Sequence, residues 1–250
     1  TRVLLVTDPG VVQAGWTGYA ERSLQAAGIS YSVFDGVTPN PKDHEVMTGA
    51  EVYERERCDA VVVVGGGSPT DCAKGIGIVA ANQRSILEFE GVDEVPLPGP
   101  PLICVPTTAG SSADVSQFAI IVDTARQVKI AIISKTIVPD VSLIDPATAT
   151  TMPAELTSAT GIDALSHAME AYVSTASSPL TDISALAAIR LMVANLRQSI
   201  DHPQDLEFRA NTMLAALMAG LAFSNASLGA MHAMAHAMGG DPKQAEELLR

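Results

Sequence analysis

The sequence is poor in the residues that would hold it together by anything other than a packed core. Its 250 residues include three cysteines, Cys58, Cys72 and Cys104, with no CxxC pair among them. So odd and sparse a set argues against a disulfide framework and reads as reduced, buried thiols in a cytoplasmic protein. Aromatic residues make up 4% of the chain and charged residues 17%, whereas apolar residues reach 47%. That balance excludes a disordered or collagen-like chain and supplies a sizeable core without covalent staples. Basic residues are also few, 15 Lys plus Arg against 28 Asp plus Glu, for a net charge of −13. A surface of that sign repels phosphate, so the expected partners include neither nucleic acid nor an anionic membrane. No basic-plus-apolar signal segment opens the chain, which starts at Thr1 and not at methionine. One long stretch, residues 210–240, has no charged side chain at all. It is long enough to span a bilayer, yet it contains Asn211, Ser224, Asn225, Ser227, His232 and His236, all costly in lipid. A buried helix pair is the expectation there.

Two differently written halves are present. In the first, the β-rich runs Val3–Val6, Ser32–Phe34, Ala60–Val64 and Leu102–Val105 occur, with helical patterns separating the first three. Such alternation predicts βαβ units and a mostly parallel sheet with helices on both faces. The run Val61-Val62-Val63-Val64 is apolar at every position, as a central strand covered on both sides should be. Further strands are expected at Phe118–Val122, Lys129–Ile133 and Val141–Ile144. Beyond Pro146 and Pro153 the β signal stops, and helical spacing such as Ile183, Leu186, Ile189 and Val193 takes over. The expected division is an α/β domain over residues 1–150 and an all-helical domain over 151–250.

Four features carry chemistry. Val64-Gly65-Gly66-Gly67-Ser68-Pro69-Thr70-Asp71 runs from a buried strand through a triple glycine into a helix expected to start near Pro69. Glycine lets a ligand approach the backbone, and the helix points free N–H groups at it, which makes a pyrophosphate cradle. Asp8 ends the first strand, where a carboxylate either caps the helix after Pro9 or binds both ribose hydroxyls and repels a 2′-phosphate. Pro106-Thr107-Thr108-Ala109-Gly110-Ser111-Ser112 follows another strand and places hydroxyls where parallel sheets bind ligands; without a GxSxG context Ser111 is not a hydrolase nucleophile. Finally, Asp163-x-x-x-His167 and His232-x-x-x-His236 each put two donors on one helix face. Each couplet taken alone fits a hydrogen-bonded core pair. Together in an apolar helical half they suit Fe²⁺ or Zn²⁺.

The segments Val64–Lys74, Pro106–Val115, Thr160–Tyr172 and Phe223–Gly240, in this order and spacing, resemble the iron-containing alcohol dehydrogenases over about residues 1–240. The resemblance implies a dehydroquinate synthase-like fold: an N-terminal dinucleotide-binding α/β domain, then an all-helical metal domain, with the active site between them. It also implies NAD as cofactor, a small alcohol or aldehyde as substrate and a homo-oligomer. By resemblance, Asp163, His167 and His232 match metal ligands, and His236 a histidine near the nicotinamide that serves the chemistry. Asp8, Asn40, Gly66, Gly67, Ser68, Asp71, Thr107, Thr108, Ser111 and Lys129 match positions that contact the dinucleotide, with Asp8 favouring NAD over NADP.

One departure stands out. After Gly239-Gly240 the family pattern runs on to a Pro-His-Gly motif whose histidine is a fourth ligand. Here Asp241–Glu247 follows, and no later histidine occurs. The expectation is a truncated or gapped chain, or a site with three protein ligands, with Glu246 part of a solvated charge run. Rival readings are a dinucleotide-binding chain without turnover, a glycerol-dehydrogenase-like relative and a non-haem Fe(II) oxygenase. The βαβ pattern argues against the last, whose sites usually sit in β-barrels.

Overall fold

The structure, a computed structural model, describes residues 1–239. β1 (Arg2–Val6) leads through α1 (Pro9–Ala14) and α2 (Trp16–Ala26) to β2 (Ser30–Phe34). α3 (Asp43–Arg55), β3 (Ala60–Gly65) and α4 (Gly67–Asn82) follow, then β4 (Gly91–Val92) and β5 (Leu102–Pro106). After β6 (Phe118–Asp123), β7 (Val128–Ile133) and β8 (Val141–Ser142), the chain turns helical: α5 (Ala154–Val173), α6 (Pro179–Asp201), α7 (Leu206–Ala226) and α8 (Ala230–Gly239).

Five strands form one sheet in the order β2-β1-β3-β5-β8, with every neighbouring pair parallel. Side-chain alternation sorts the two faces. Leu4, Val6, Val61 and Val63 join Val46, Ile76 and Ile78 of α3 and α4 in one core. Val3, Leu5, Val62 and Val64 pack on the other face with Val11, Trp16 and Leu24 of α1 and α2. Both faces of β3 are therefore covered, which is why four consecutive valines serve it. The chain moves from β1 outward to β2 and then crosses to β3 on the opposite side. The C-terminal ends of β1 and β3 thus flank a topological switch point, where open α/β sheets bind ligands.

The runs Phe118–Val122 and Lys129–Ile133 do not extend this sheet. They pair antiparallel as β6 and β7, with β4 added parallel to β7, in a second sheet. A parallel pair needs a crossover of a dozen or more residues, so the short link between these two strands can only make a hairpin. Ala119, Ile121, Ile130 and Ile132 still pack into the α4 core.

The uncharged stretch forms two helices, α7 and α8, bent by 99° between them, but only α7 is a largely buried helix: in α8 His232 is buried while Met231, Met234 and Met238 are exposed, so the expected buried pair is half right. Among the described residues, α6 is long and apolar enough to cross a membrane by length and composition, and the bent α7–α8 pair passes the same test if taken as one span. The inner face of α6, Ala185, Ala188 and Met192, is buried, while Leu180 and Val193 are exposed. α5, α6 and α7 pack on one another, and α8 lies beside β7.

Candidate functional site

β3 ends at Gly65 and α4 begins at Gly67, two residues before the expected start near Pro69. The triple glycine is therefore the cap and first turn of the helix. Gly66 is the N-cap and makes no side-chain cap bond, so the first N–H groups and the positive end of the dipole stay open to a ligand. Neither Gly66 nor Gly67 has a positive φ, so the requirement for glycine is steric. A Cβ on Gly67 would lie 2.7 Å from Ser111 Oγ, and one on Gly66 2.9 Å from Thr108 Cγ2. The glycine turn and the Thr107–Ser111 loop thus form one packed unit, tied further by Thr107 N–H donating to Gly65 O at 3.0 Å.

Asn40 adopts a left-handed conformation and donates its backbone N–H to Ser68 Oγ at 3.1 Å. Asp71, one turn into α4, accepts the Ile120 N–H at 3.2 Å. Burial pushes its carboxyl up to about 7, against the opposing pull of Lys74, the Ile120 N–H and Lys129. Lys74 is buried and donates to the carbonyls of Ser116 and Phe118, both at 2.7 Å. Asp71 and Lys74 together pin the β6–β7 hairpin, and so Lys129, to α4. Sequence reasoning assigned Lys74 no role; its only signal was a charged side chain within an apolar helix. Asp8 caps α1, with Oδ1 accepting the Val11 N–H at 3.0 Å.

Across from this wall stand the helical donors. One donor atom each from Asp163, His167 and His232 lies within 4.8 Å of the others. Asp163 Oδ1 is 3.3 Å from His232 Nε2 and 3.8 Å from His167 Nε2. The imidazoles of His167 and His232 stack at 4.3 Å, and Phe223 of α7 stacks on His167 at 4.5 Å. Burial drives His167 down to about 4, so it is neutral at physiological pH, the state that ligates metal. Burial works to raise Asp163, but the His232 hydrogen bond and the neighbouring imidazoles outweigh it and keep the carboxylate ionised. Two imidazoles and one ionised carboxylate aimed at a common point fit Fe²⁺ or Zn²⁺.

His236 does not join that cluster. Its ring stands edge-on to His232, 6.2 Å away, and lines the cavity instead. Burial, with Lys129 and His232 nearby, holds its pKa below the usual histidine value. The second couplet therefore contributes one donor to the cluster. A residue the sequence reading missed contacts that donor: Glu170, whose Oε2 meets His232 Nδ1 and whose Oε1 accepts the Met231 N–H at 2.8 Å. Its one signal was its place two turns after Asp163 on the same face of α5.

Between the two walls lies a cavity of about 480 Å³. Asn40, Gly67, Ser68, Asp71, Ser111 and Lys129 line one side, and Asp163, His232 and His236 the other. Asp8, Gly66, Thr107, Thr108 and His167 are outside its lining. Of these, Thr107 and His167 are buried. The walls are locked together by the loop after β5. A Cβ on Gly110 would sit 2.6 Å from Thr160 Cβ of α5, and Ser112 Oγ donates to Ala216 O of α7 at 2.6 Å. Glu246 lies outside the described residues.

A sequence profile described as iron-containing alcohol dehydrogenase matches residues 1–146. A second, for the C-terminal part of the Fe-containing alcohol dehydrogenase family, matches residues 157–242. The chain is 46% identical over 241 residues to the 1,3-propanediol dehydrogenase of Klebsiella pneumoniae, covering 96% of this chain and 62% of that protein. It is 46% identical over 237 residues to alcohol dehydrogenase 4 of Schizosaccharomyces pombe, covering 95% of this chain and 56% of that one. Among solved structures, a 1,3-propanediol oxidoreductase superposes with a TM-score of 0.93 at 45% identity, over 96% of this chain and 63% of that one. The alcohol dehydrogenase from Oenococcus oeni gives 0.92 at 37% identity, over 94% and 62%. The chain thus spans under two thirds of the length of these relatives. A parallel sheet with a glycine-capped helix, facing two helices that bring one carboxylate and two imidazoles together, agrees with both profiles along nearly the whole chain, which belongs to the iron-containing alcohol dehydrogenase family.

Proposed function

We propose that this chain works as an NAD-dependent, metal-containing alcohol dehydrogenase acting on a small primary alcohol or diol and its aldehyde. The observation that carries the reading is the cavity itself, with an open helix N-terminus on one wall and a carboxylate–imidazole cluster on the other. Residues 1–150 form the dinucleotide domain in this reading, and residues 151–250 the metal and substrate domain. The N–H groups at Gly67 and Ser68 hold the pyrophosphate, flanked by Ser111 and Lys129. Asp8 faces the ribose and disfavours a 2′-phosphate by charge. Asp163, His167 and His232 hold Fe²⁺, with Zn²⁺ as the alternative. When bound, the metal supplies Lewis acidity toward the alcohol oxygen and the nicotinamide accepts the hydride. His236, neutral and on the cavity wall, takes the alcohol proton and passes it toward solvent. Buried free thiols at Cys58, Cys72 and Cys104 support a cytoplasmic setting, and the exposed apolar side chains of α6 support a homo-oligomer.

The test is purified protein with Fe²⁺ or Zn²⁺, NAD and a panel of short alcohols and diols, followed by NADH absorbance. NADH formation that is lost in Asp163→Asn is expected. NAD binding with no NADH from any alcohol overturns the dehydrogenase reading. It would favour a dinucleotide-binding chain without turnover, which the convergence of only three ligand groups among the described residues also fits.

A further inference from the structure

Glu170 does not line the cavity, yet both of its carboxylate oxygens are engaged by the start of α8. Oε1 accepts the Met231 N–H at 2.8 Å, and Oε2 contacts His232 Nδ1. The turn before α8 is also shaped around it, because a Cβ on Gly229 would lie 2.8 Å from Oε1. Glu170 is 9% exposed and His232 8%, so water does not compete freely for either group. An ionised carboxylate can only accept hydrogen bonds. His232 Nδ1 therefore donates to Glu170. Nε2 donates to Asp163 Oδ1 at 3.3 Å only while the ring is an imidazolium, the form that the two carboxylates favour against burial; in the neutral ring the proton stays on the closer contact, Nδ1, and Nε2 is left free.

We propose that Glu170 is a positioning residue. It fixes His232 as the Nδ1–H tautomer and clamps the ring with Nε2 turned toward Asp163 and His167. A carboxylate that takes the outer proton of a ligating histidine sets its tautomer, its orientation and its basicity. The inference rests on the metal reading above for what Nε2 binds, but not for the tautomer. A plain structural anchor for α8 would need the Met231 N–H alone; the second oxygen on Nδ1 is what assigns Glu170 to the histidine.

Two variants test this. Glu170→Gln leaves a single acceptor oxygen where two are used, so it can satisfy His232 Nδ1 or the Met231 N–H but not both. Gly229→Ala keeps the carboxylate and presses a methyl group against Oε1. Nitrogen NMR of the metal-free chain, titrated upward until His232, whose pKa the two carboxylates raise against burial, is neutral, reads the tautomer, with His232 assigned by its loss in His232→Gln. The wild-type chain is expected to show Nδ1–H, and Glu170→Gln a mixture or Nε2–H. Calorimetric titration with Zn²⁺ is expected to show affinity about 10–100-fold weaker in both variants, with NAD affinity unchanged. An Nε2–H tautomer in the wild type, or wild-type Zn²⁺ affinity in both variants, overturns the proposal. A wild-type chain that takes up no Zn²⁺ sinks the metal reading instead, and the tautomer then decides the role of Glu170 by itself.

Discussion

The strand-bearing part and the helical part of the molecule are built from opposite materials. The first buries branched and aromatic side chains: Leu4, Val6, Val63, Ile76, Phe89, Ile121 and Ile132 are all at or near 0% exposure. The second buries alanines, with Ala168, Ala171, Ala185, Ala188, Ala219, Ala222 and Ala226 inside. Few larger residues join them, Met192, Met213 and Phe223 among these, while Val173, Leu180, Ile183 and Val193 are left exposed. Parallel strands about 4.8 Å apart with helices stacked on them need bulky side chains to fill the gap between layers. Helices that meet through alanine approach closely and hold their backbones in fixed relation. The difference suits the two tasks. A glycine turn for a long cofactor needs an open helix end on a thick core, whereas a metal cluster needs donors from two helices held in place to about half an ångström.

The sharpest break should come at the donors. Asp163→Asn is expected to weaken Zn²⁺ binding by more than about 100-fold, beyond the usual cost of losing an outer partner, while NAD affinity holds. Gly67→Val is expected to do the reverse, since its side chain meets Ser111 at once. It should weaken NAD binding by about tenfold or more and leave Zn²⁺ untouched. Parallel calorimetric titrations of both variants check this. If each variant disturbs both ligands, the walls are not separable.

In the cores, Ile76→Ala removes a fully buried side chain from the layer between α4 and the sheet. It should cost about 2–5 kcal/mol in denaturant unfolding.

Protonation should divide the parts as well, with opposite signs. His167 has a folded pKa of about 4, below its unfolded value, so the unfolded chain binds more protons between the two. Its share of stability is full above about pH 6.5 and is lost as pH falls toward 4, by at most about 3 kcal/mol. Asp71, raised to about 7, works the other way: the folded state holds the proton longer, so stability falls as pH rises from about 4 to 7. Thermal melts of the metal-free chain against pH are expected to lose the acid-side decline in His167→Asn and the neutral-side decline in Asp71→Asn. Unchanged profiles in both would show that these groups do not carry the linkage.

The smallest effect is expected from overpacking the alanine core. Ala188→Leu should cost about 1–3 kcal/mol and, if the helices part to admit it, weaken Zn²⁺ binding through shifted donors.

Much of this was legible in the chain because it is local. Period-two and all-apolar runs marked β1, β2, β3 and β5. The glycine run after β3 and the two four-residue couplets marked the chemistry, since strand ends and helix faces are set by nearby residues. What was misread or missed depends on distant partners. Glycine's poor helix propensity hid the start of α4 at Gly67, which is favoured by the close approach of the Thr108–Ser111 loop. The strands β6 and β7 were expected, but not their pairing, which the short link between them turns into an antiparallel hairpin of a second sheet. Glu170 was passed over because its partner is 62 residues away.

By itself, then, the sequence determined the elements, their alternation and which residues could bind phosphate or metal, because those properties follow from spacing along one strand or helix. Only the tertiary structure decided which of them meet. The 99° bend between α7 and α8 carries His232 onto Asp163 and His167, and leaves its couplet partner His236 on the cavity wall. A helix face fixes direction around its own axis, but the distance between donors on two helices is set by how the helices pack.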